Sequence, residues 1–500
     1  MSARTQFLRL NDNRGIALIT TYLLVAVLFV LGAAFFLRTT SERIITDVDR
    51  DNLIAFNAGE AGLARAIVYM RNRTGGSDTS NNDPFDPFSS PVEKGLNQAD
   101  VLNNIEQVFE SSVTFQQFCA EPDLDDCAST DTAGGTYQAI IDPDQSNFSG
   151  SVKNRFIITV RGIVGGISRT LIAAVQIDNF ARFAYFSDDE HYGRGRDRAP
   201  VWFITGDEIW GPTHTNGHFH ILGNPIFHDA VVSVDDFITY FTPAPSAGND
   251  PQFLGGLTLG IDPIPMPHQA IELHTASVQG GEVFNGNTTI VLNADGTMDV
   301  TNGQLLQTEG CSPCNRSLPA NYALYVSGGD LTLSGTLDGS LTVGTNRDII
   351  IADDIRYNCE DPLIACPGDP NELCVDAALR DACDDMLGII AEKEVIVSDS
   401  IAHNHIRIDG SIMAMDQSFT VENYNTGDPR GILTVFGGII QDQRGPVGTG
   451  SVNMVNGEAE ITHGYAKNYI YDSRFATNPP MYFPRTGDYL NLVWQEELGL

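Results

Sequence analysis

The hydrophobic and polar positions divide the chain into three textures. From Ile16 to Leu37 the sequence is apolar and carries no charge, directly after Arg14 and Gly15. An apolar run of about 20 residues spans a bilayer as a helix, because a helix satisfies its own backbone hydrogen bonds. The run continues into a polar segment without a break. No proline occurs between Ser41 and Arg73, and Ile44, Val48, Ala55, Leu63, Ile67 and Met70 recur at helical spacing, forming one stripe. The pattern predicts a single helix from Ile16 to about Arg73, roughly 85 Å long at 1.5 Å per residue. Thr74-Gly-Gly-Ser77 ends it.

The second texture alternates. After a Gly, Ser, Asn, Asp and Pro-rich loop over 74–92, a short amphipathic helix is predicted from Ala99 to Phe109. The stretches starting at Tyr137, Arg155 and Ser168 are β-rich, alternate in polarity and are separated by turn residues. Residues 76–180 therefore read as a small antiparallel sheet packed on the outer half of the helix, an α+β head. From about 181 onward, short apolar strands recur between Gly, Asn and Asp residues. Examples are Val201-Trp-Phe-Ile, Ala323-Leu-Tyr-Val, Leu341-Thr-Val, Asp348-Ile-Ile-Ile and Ile432-Leu-Thr-Val-Phe. Their cadence suits a parallel β-helix-like body over 181–460, with one rung per 20–30 residues, and a short-stranded β-sandwich is the alternative. Two insertions interrupt it: a Pro-rich stretch at 243–269 and a Cys-rich one near 358–386 with a helix near 375–384. Residues 461–500 close the chain. The expected fold class is mixed α+β followed by all-β.

Charge and cysteine change this picture in two ways. The formal net charge is −35, and lysine occurs only at 94, 153, 393 and 467. A surface this acidic repels nucleic acid, which is excluded as a partner. The 8 cysteines all follow the apolar run. In an exported region they pair locally: Cys119 with Cys127, Cys311 with Cys314, and two bridges among Cys359, Cys366, Cys374 and Cys383. Zinc at the lone Cys311-Ser-Pro-Cys314 is the weaker reading, because no second CxxC or close His pair follows.

The head of the chain resembles a known family. A short leader with Arg4, Arg9 and Arg14, ending in Gly15 before an apolar helix, looks like a type IV prepilin. Arg14-Gly-Ile-Ala-Leu-Ile and the later Ala55-Phe-Asn-Ala58-Gly-Glu60-Ala-Gly62 resemble the PilX-type minor pilins. The resemblance covers about residues 11–75. It implies a leader at 1–15, cleavage between Gly15 and Ile16 by a prepilin peptidase, and an assembly helix at 16–75 that packs with other pilins. Major pilins carry Glu at the fifth mature position; here that position is Thr20. A neutral side chain there avoids burying an unpaired carboxylate and, by the resemblance, points to a minor or tip subunit, with a tip adhesin among its partners. The segment Gly211-Pro-Thr-His214-Thr-Asn216-Gly217 to Gly223-Asn-Pro225-Ile-Phe227 resembles a signature of uncharacterised bacterial surface proteins with the same N-terminal helix.

Candidate chemistry is sparse. His214, His218, His220 and His228 lie close together in sequence. In a strand, His218 and His220 face one side, which makes them the weak candidates for a metal. No carboxylate stands at a ligand spacing with them, although Asp229 is near, so the pattern favours rung and turn residues bonded to backbone. Asp353-Asp354, Asp384-Asp385 and Glu458-Ala-Glu460 are the acid pairs a polysaccharide-cleaving enzyme would draw on. For calcium, Asp142-Pro-Asp144-Gln-Ser146 and Asp47-Val-Asp-Arg-Asp51 are weak matches. No hydrolase or nucleotide motif occurs, and no cofactor is expected. The sequence points to a non-catalytic minor-pilin-like protein that sits in the inner membrane, N-terminus cytoplasmic, and then in a pilus or at the cell surface. The alternative is an uncleaved, membrane-anchored protein that binds or cleaves polysaccharide.

Overall fold

The computed structural model describes residues 13–74, 113–114, 136–143, 155–193, 198–246, 248–366, 369–453 and 455–497. The expected helix from Ala99 to Phe109, the pair Cys119 and Cys127, and Asp144 lie outside the described residues. A long N-terminal helix leads into a large β-rich body. Helix α1 runs unbroken over Asn13–Thr74, 62 residues, as the absence of proline requires.

A five-stranded antiparallel sheet packs on the outer half of α1. Its order is Val113–Thr114, Thr136–Pro143, Arg155–Val164, Ile167–Asn179 and Arg485–Glu497. The first four strands fall within the expected head. The fifth comes from the far end of the chain, pairing antiparallel with Ile167–Asn179 from Arg485↔Asn179 to Glu497↔Thr170. The sheet therefore does not close by residue 180. The whole body is inserted between two neighbouring strands of one sheet.

The body is a stack of parallel strands built by two runs of chain. One column runs Glu282–Asn285, Ala323–Ser327, Ser340–Thr345, Met386–Ala391, Ile406–Ala414 and Pro429–Gln443, each pairing parallel with the next. The column then continues into the earlier run: Pro429–Gln443 pairs parallel with Tyr185–Asp189, which leads on through Thr213–Thr215 and Val231–Ser233 to Leu257–Leu259. The chain thus starts in the middle of the stack at Tyr185, builds one half outward, and crosses by helix α2 (Ile271–Gly280) to build the other half back toward its start. A second column of short strands, including Thr288–Asn293, Leu331–Leu337 and Ile349–Tyr357, lies alongside. Inward residues such as Phe203, Ile221, Phe227, Leu333, Ile351 and Val435 form one continuous apolar core.

Buried charges sit where the two runs meet. Arg444 donates to Glu190 Oε2 at 2.8 Å and lies 3.4 Å over the Phe203 ring, and Glu190 also accepts from Tyr185 Oη at 2.8 Å. Lys467 pairs with Asp207 beside them, and burial lowers its pKa. On the outer side of the same rungs Asp442 stands near Asp188 and Asp416, and burial plus these like charges raise its pKa to about 6.

The Cys-rich insertion is stapled: Cys359 bonds Cys383, and Cys374 is also disulfide-bonded. Cys311 bonds Cys314. A short helix at Ala377–Ala382 stands where one was expected.

Two measurements check this architecture. Gly335 has φ +108° and faces the neighbouring rung so closely that a Cβ would lie 2.2 Å from the Leu292 carbonyl oxygen. Gly335→Ala should cost about 3 kcal/mol, read as a lowered denaturation midpoint with unchanged slope. Asp442 has a folded pKa of about 6 against an unfolded value of about 4. Its protonated form therefore stabilises the fold below about pH 4, and that contribution is lost as pH rises through the folded value. Fixed neutral, Asp442→Asn should raise Tm by about 2–4 °C at pH 7.5, after discounting for partial exposure, and leave it unchanged at pH 4.

Candidate functional site

The long helix carries the candidate site, and its two halves use different residues. In the outer half the face against the sheet is made of small side chains. Ala55, Ala58, Gly59, Gly62 and Ala66 are buried, at spacings of three and four that keep them on one stripe. Removing side-chain bulk lets two backbones approach. A Cβ on Gly162, in the strand Arg155–Val164, would lie 1.9 Å from the Ala55 carbonyl oxygen, and one on Gly62 would lie 2.6 Å from the Tyr137 and Val160 side chains. The motif Ala55 to Gly62 is thus a docking surface. Glu60 points away from it and is exposed.

Of the expected apolar stripe, Ala55 lies on this face, Leu63 and Ile67 are half-buried, and the side chain of Met70 lies outside the described residues. Ile44 is 58% and Val48 43% exposed. The sheet accepts a flat, small-residue surface, so the bulky side chains project elsewhere. Phe56 does meet the returning strand, 6.3 Å from the Trp494 ring. The pairs of the Asp47–Asp51 segment are internal: Arg50 lies 3.3 Å from Asp47 and 3.0 Å from Asp51.

Among the described residues, none outside the helix buries its inner half. Leu18, Ile19, Leu23, Leu24, Leu28, Phe29, Phe35 and Phe36 are all exposed. Among the described residues this is the one helix long and apolar enough to cross a membrane. Thr20 lies on this exposed segment, and Gly15 and Ile16 are helical backbone at its start.

The histidines separate. His214 is buried, stacks on Phe186 at 4.8 Å and lies 2.8 Å from Asn216 Oδ1; burial lowers its pKa to about 4. His228 stacks on Trp210 and lies 3.1 Å from Glu208. His218 and His220 do face one side, with ring centroids 4.6 Å apart. A third ring, His191, stands 4.7 Å from His220. Asp235 lies 2.9 Å from His218 Nδ1, so the carboxylate that linear spacing did not supply comes from the next rung. These side chains bond other side chains rather than backbone.

The acid pairs each have a local role. Asp353 pairs with His403 at 2.7 Å, and Asp354 accepts the Arg407 backbone N–H at 2.8 Å. Asp385 is buried and accepts backbone N–H groups of Gly339, Asn358 and Cys359. Glu458 accepts from Asn456 at 2.8 Å on the surface. Sequence reasoning missed Arg444, Glu190, Lys467 and Asp207, whose pairing depends on rungs far apart in the chain.

Residues 154–235 match a family described as a domain of unknown function (DUF4900). That match spans the head-sheet strands Arg155–Val164 and Ile167–Asn179 and the start of the stack, including His191, His218 and His220. No curated protein matches the chain. Among solved structures, the competence-associated pilin ComZ from Thermus thermophilus overlaps 90% of this chain and 98% of its own, at 11% identity and a TM-score of 0.33. An overlap this loose carries no argument about fold or role.

The docking face is testable by substitution. Gly162→Val should separate helix and sheet and cost about 3 kcal/mol or more, because the clashing atom is backbone and cannot turn aside. Limited proteolysis should then cut α1 near residues 55–66, while Glu60→Gln leaves both stability and cleavage unchanged.

Proposed function

We propose that this chain is a non-catalytic minor-pilin-like component of a type IV pilus or related pseudopilus. The observation that carries the reading is the division of α1. One unbroken helix docks by its outer half on its own sheet and leaves its inner half as an uncovered apolar rod. Such a rod is suited first to the inner membrane and then to a bundle of like helices, since both bury the same surface. The leader ending at Gly15 and the apolar start at Ile16 support processing by a prepilin peptidase. Thr20 in place of an acid supports a minor subunit at or near the filament tip. There no subunit above it needs the missing carboxylate.

We read the stacked body as a parallel β-helix, supported by its parallel registers and its continuous inward-facing core. Displayed outward from the helix, it is the part that contacts surfaces or other tip components. The stack also suits the alternative, an anchored protein acting on polysaccharide, which keeps its leader.

Mass spectrometry of the native protein separates the two. The pilin reading expects an N-terminus at Ile16 and slower leader removal in Gly15→Ala. An intact Met1 with unchanged processing in the variant supports the anchor.

A further inference from the structure

The rings of His191, His218 and His220 converge on one face of the stack, outside the helix and its sheet. We propose that these three imidazoles bind a divalent transition-metal ion of the zinc type. Three successive rungs contribute. His191 follows the strand Tyr185–Asp189, His218 and His220 flank the start of the strand His220–Leu222, and Asp235 follows Val231–Ser233.

Ring centroids are 4.6 Å apart for His218 and His220, 4.7 Å for His191 and His220, and 6.3 Å for His191 and His218. Imidazoles bound tetrahedrally to one ion with metal–nitrogen distances of about 2.0–2.1 Å have centroids about 5 Å apart, so the observed set brackets that arrangement. Two rings are already oriented. His191 Nδ1 lies 2.8 Å from Asp189 Oδ1, and His218 Nδ1 lies 2.9 Å from Asp235 Oδ2. A carboxylate that accepts the Nδ1–H hydrogen bond fixes the proton on Nδ1 and leaves Nε2 as the lone-pair nitrogen, the arrangement that supports metal-bound histidines. Arg198 holds Asp189 from its other side, at 2.7 Å.

The third ring supplies the independent sign of a ligand. His220 is only 4% exposed, and its Nδ1 is buried without a hydrogen-bond partner. Buried polar atoms are rarely left so. Trp202 packs on it at 5.4 Å. Three nitrogen donors without a direct carboxylate or carbonyl ligand select zinc, copper, nickel or cobalt over calcium or magnesium. A fourth position remains for water or a donor from a partner, beside the half-exposed Phe237, whose ring lies 4.3 Å from His218.

The trio is looser than the tightest ligand clusters of the chain, in which all ligand atoms lie within 4.8 Å of one another. Binding therefore shifts at least one ring inward, and the partly exposed His191 and His218 can do so by pivoting about their hydrogen bonds to Asp189 and Asp235. Bound there, the ion ties two successive rungs together, with Asp235 of the third holding one of its ligands.

The test uses the full-length, detergent-solubilised protein after chelation. Zinc is titrated by calorimetry and cobalt by its visible absorbance. The proposal expects one ion per chain, the intense absorbance of tetrahedral cobalt, and at least 100-fold weaker binding in His220→Ala. Asp235→Asn keeps all three imidazoles and should weaken binding about 10–100-fold. His403→Ala, at the exposed Asp353 cluster, should bind as the wild type does. If His220→Ala fails to fold, His191→Gln and Asp235→Asn decide. No uptake by the wild type, or wild-type affinity in Asp235→Asn and His191→Gln, overturns the proposal, as does loss of binding in His403→Ala.

Discussion

The apolar surface of α1 between Leu18 and Leu37 has to be covered, and among the described residues none outside the helix covers it. Each large side chain of this kind gains about 1.5–3 kcal/mol on full burial. About a dozen of them make a driving force that no soluble state of the chain could leave unmet. The helix continues into its own sheet without a break, so the uncovered half is held as a rigid rod. The closest part of the docking face uses Ala and Gly, which lets the helix backbone approach the sheet. This is the physical content of the small-residue segment from Ala55 to Gly62.

A second constraint acts on the body. Strand Ile167–Asn179 pairs with the last strand of the chain, Arg485–Glu497. Everything between is therefore closed at one place, and both ends of the stack's path return to the helix-bearing sheet. The stack itself is joined in its middle, where Pro429–Gln443 meets Tyr185–Asp189. Buried ion pairs such as Arg444 with Glu190 add little net stability but are costly to break. Placed at the join, they penalise any register in which Arg444 does not reach Glu190. Arg182 with Asp178, at 3.1 Å, and Thr486 with Asp178, at 2.9 Å, bind the stack's start to the returning strand.

Much of this was legible in the sequence because its causes are local. A charge-free run without proline gives a helix, and alternation between turn residues gives the strands at Arg155–Val164 and Ile167–Asn179. The short strands of the body were legible as strands for the same reason. The order of the rungs was not, since two runs of similar texture carry no mark of which meets which. The fifth strand was missed because its partner lies some three hundred residues upstream. The expected stripe named Ala55 but not Ala58, Gly59, Gly62 or Ala66, because periodicity counts large apolar residues while close packing on a sheet selects small ones. Likewise His218 and His220 were visible as a pair, but His191 and Asp235 join them only through neighbouring rungs.

The central claim is that the exposed half of α1 exchanges lipid for neighbouring helices. A photo-crosslinking residue at Leu24, incorporated in cells, tests it directly. Analysis of sheared filaments and of membranes should show crosslinks to the N-terminal helix of another pilin in the filament fraction. A chain that stays in the membrane fraction and crosslinks only to lipid would contradict the account.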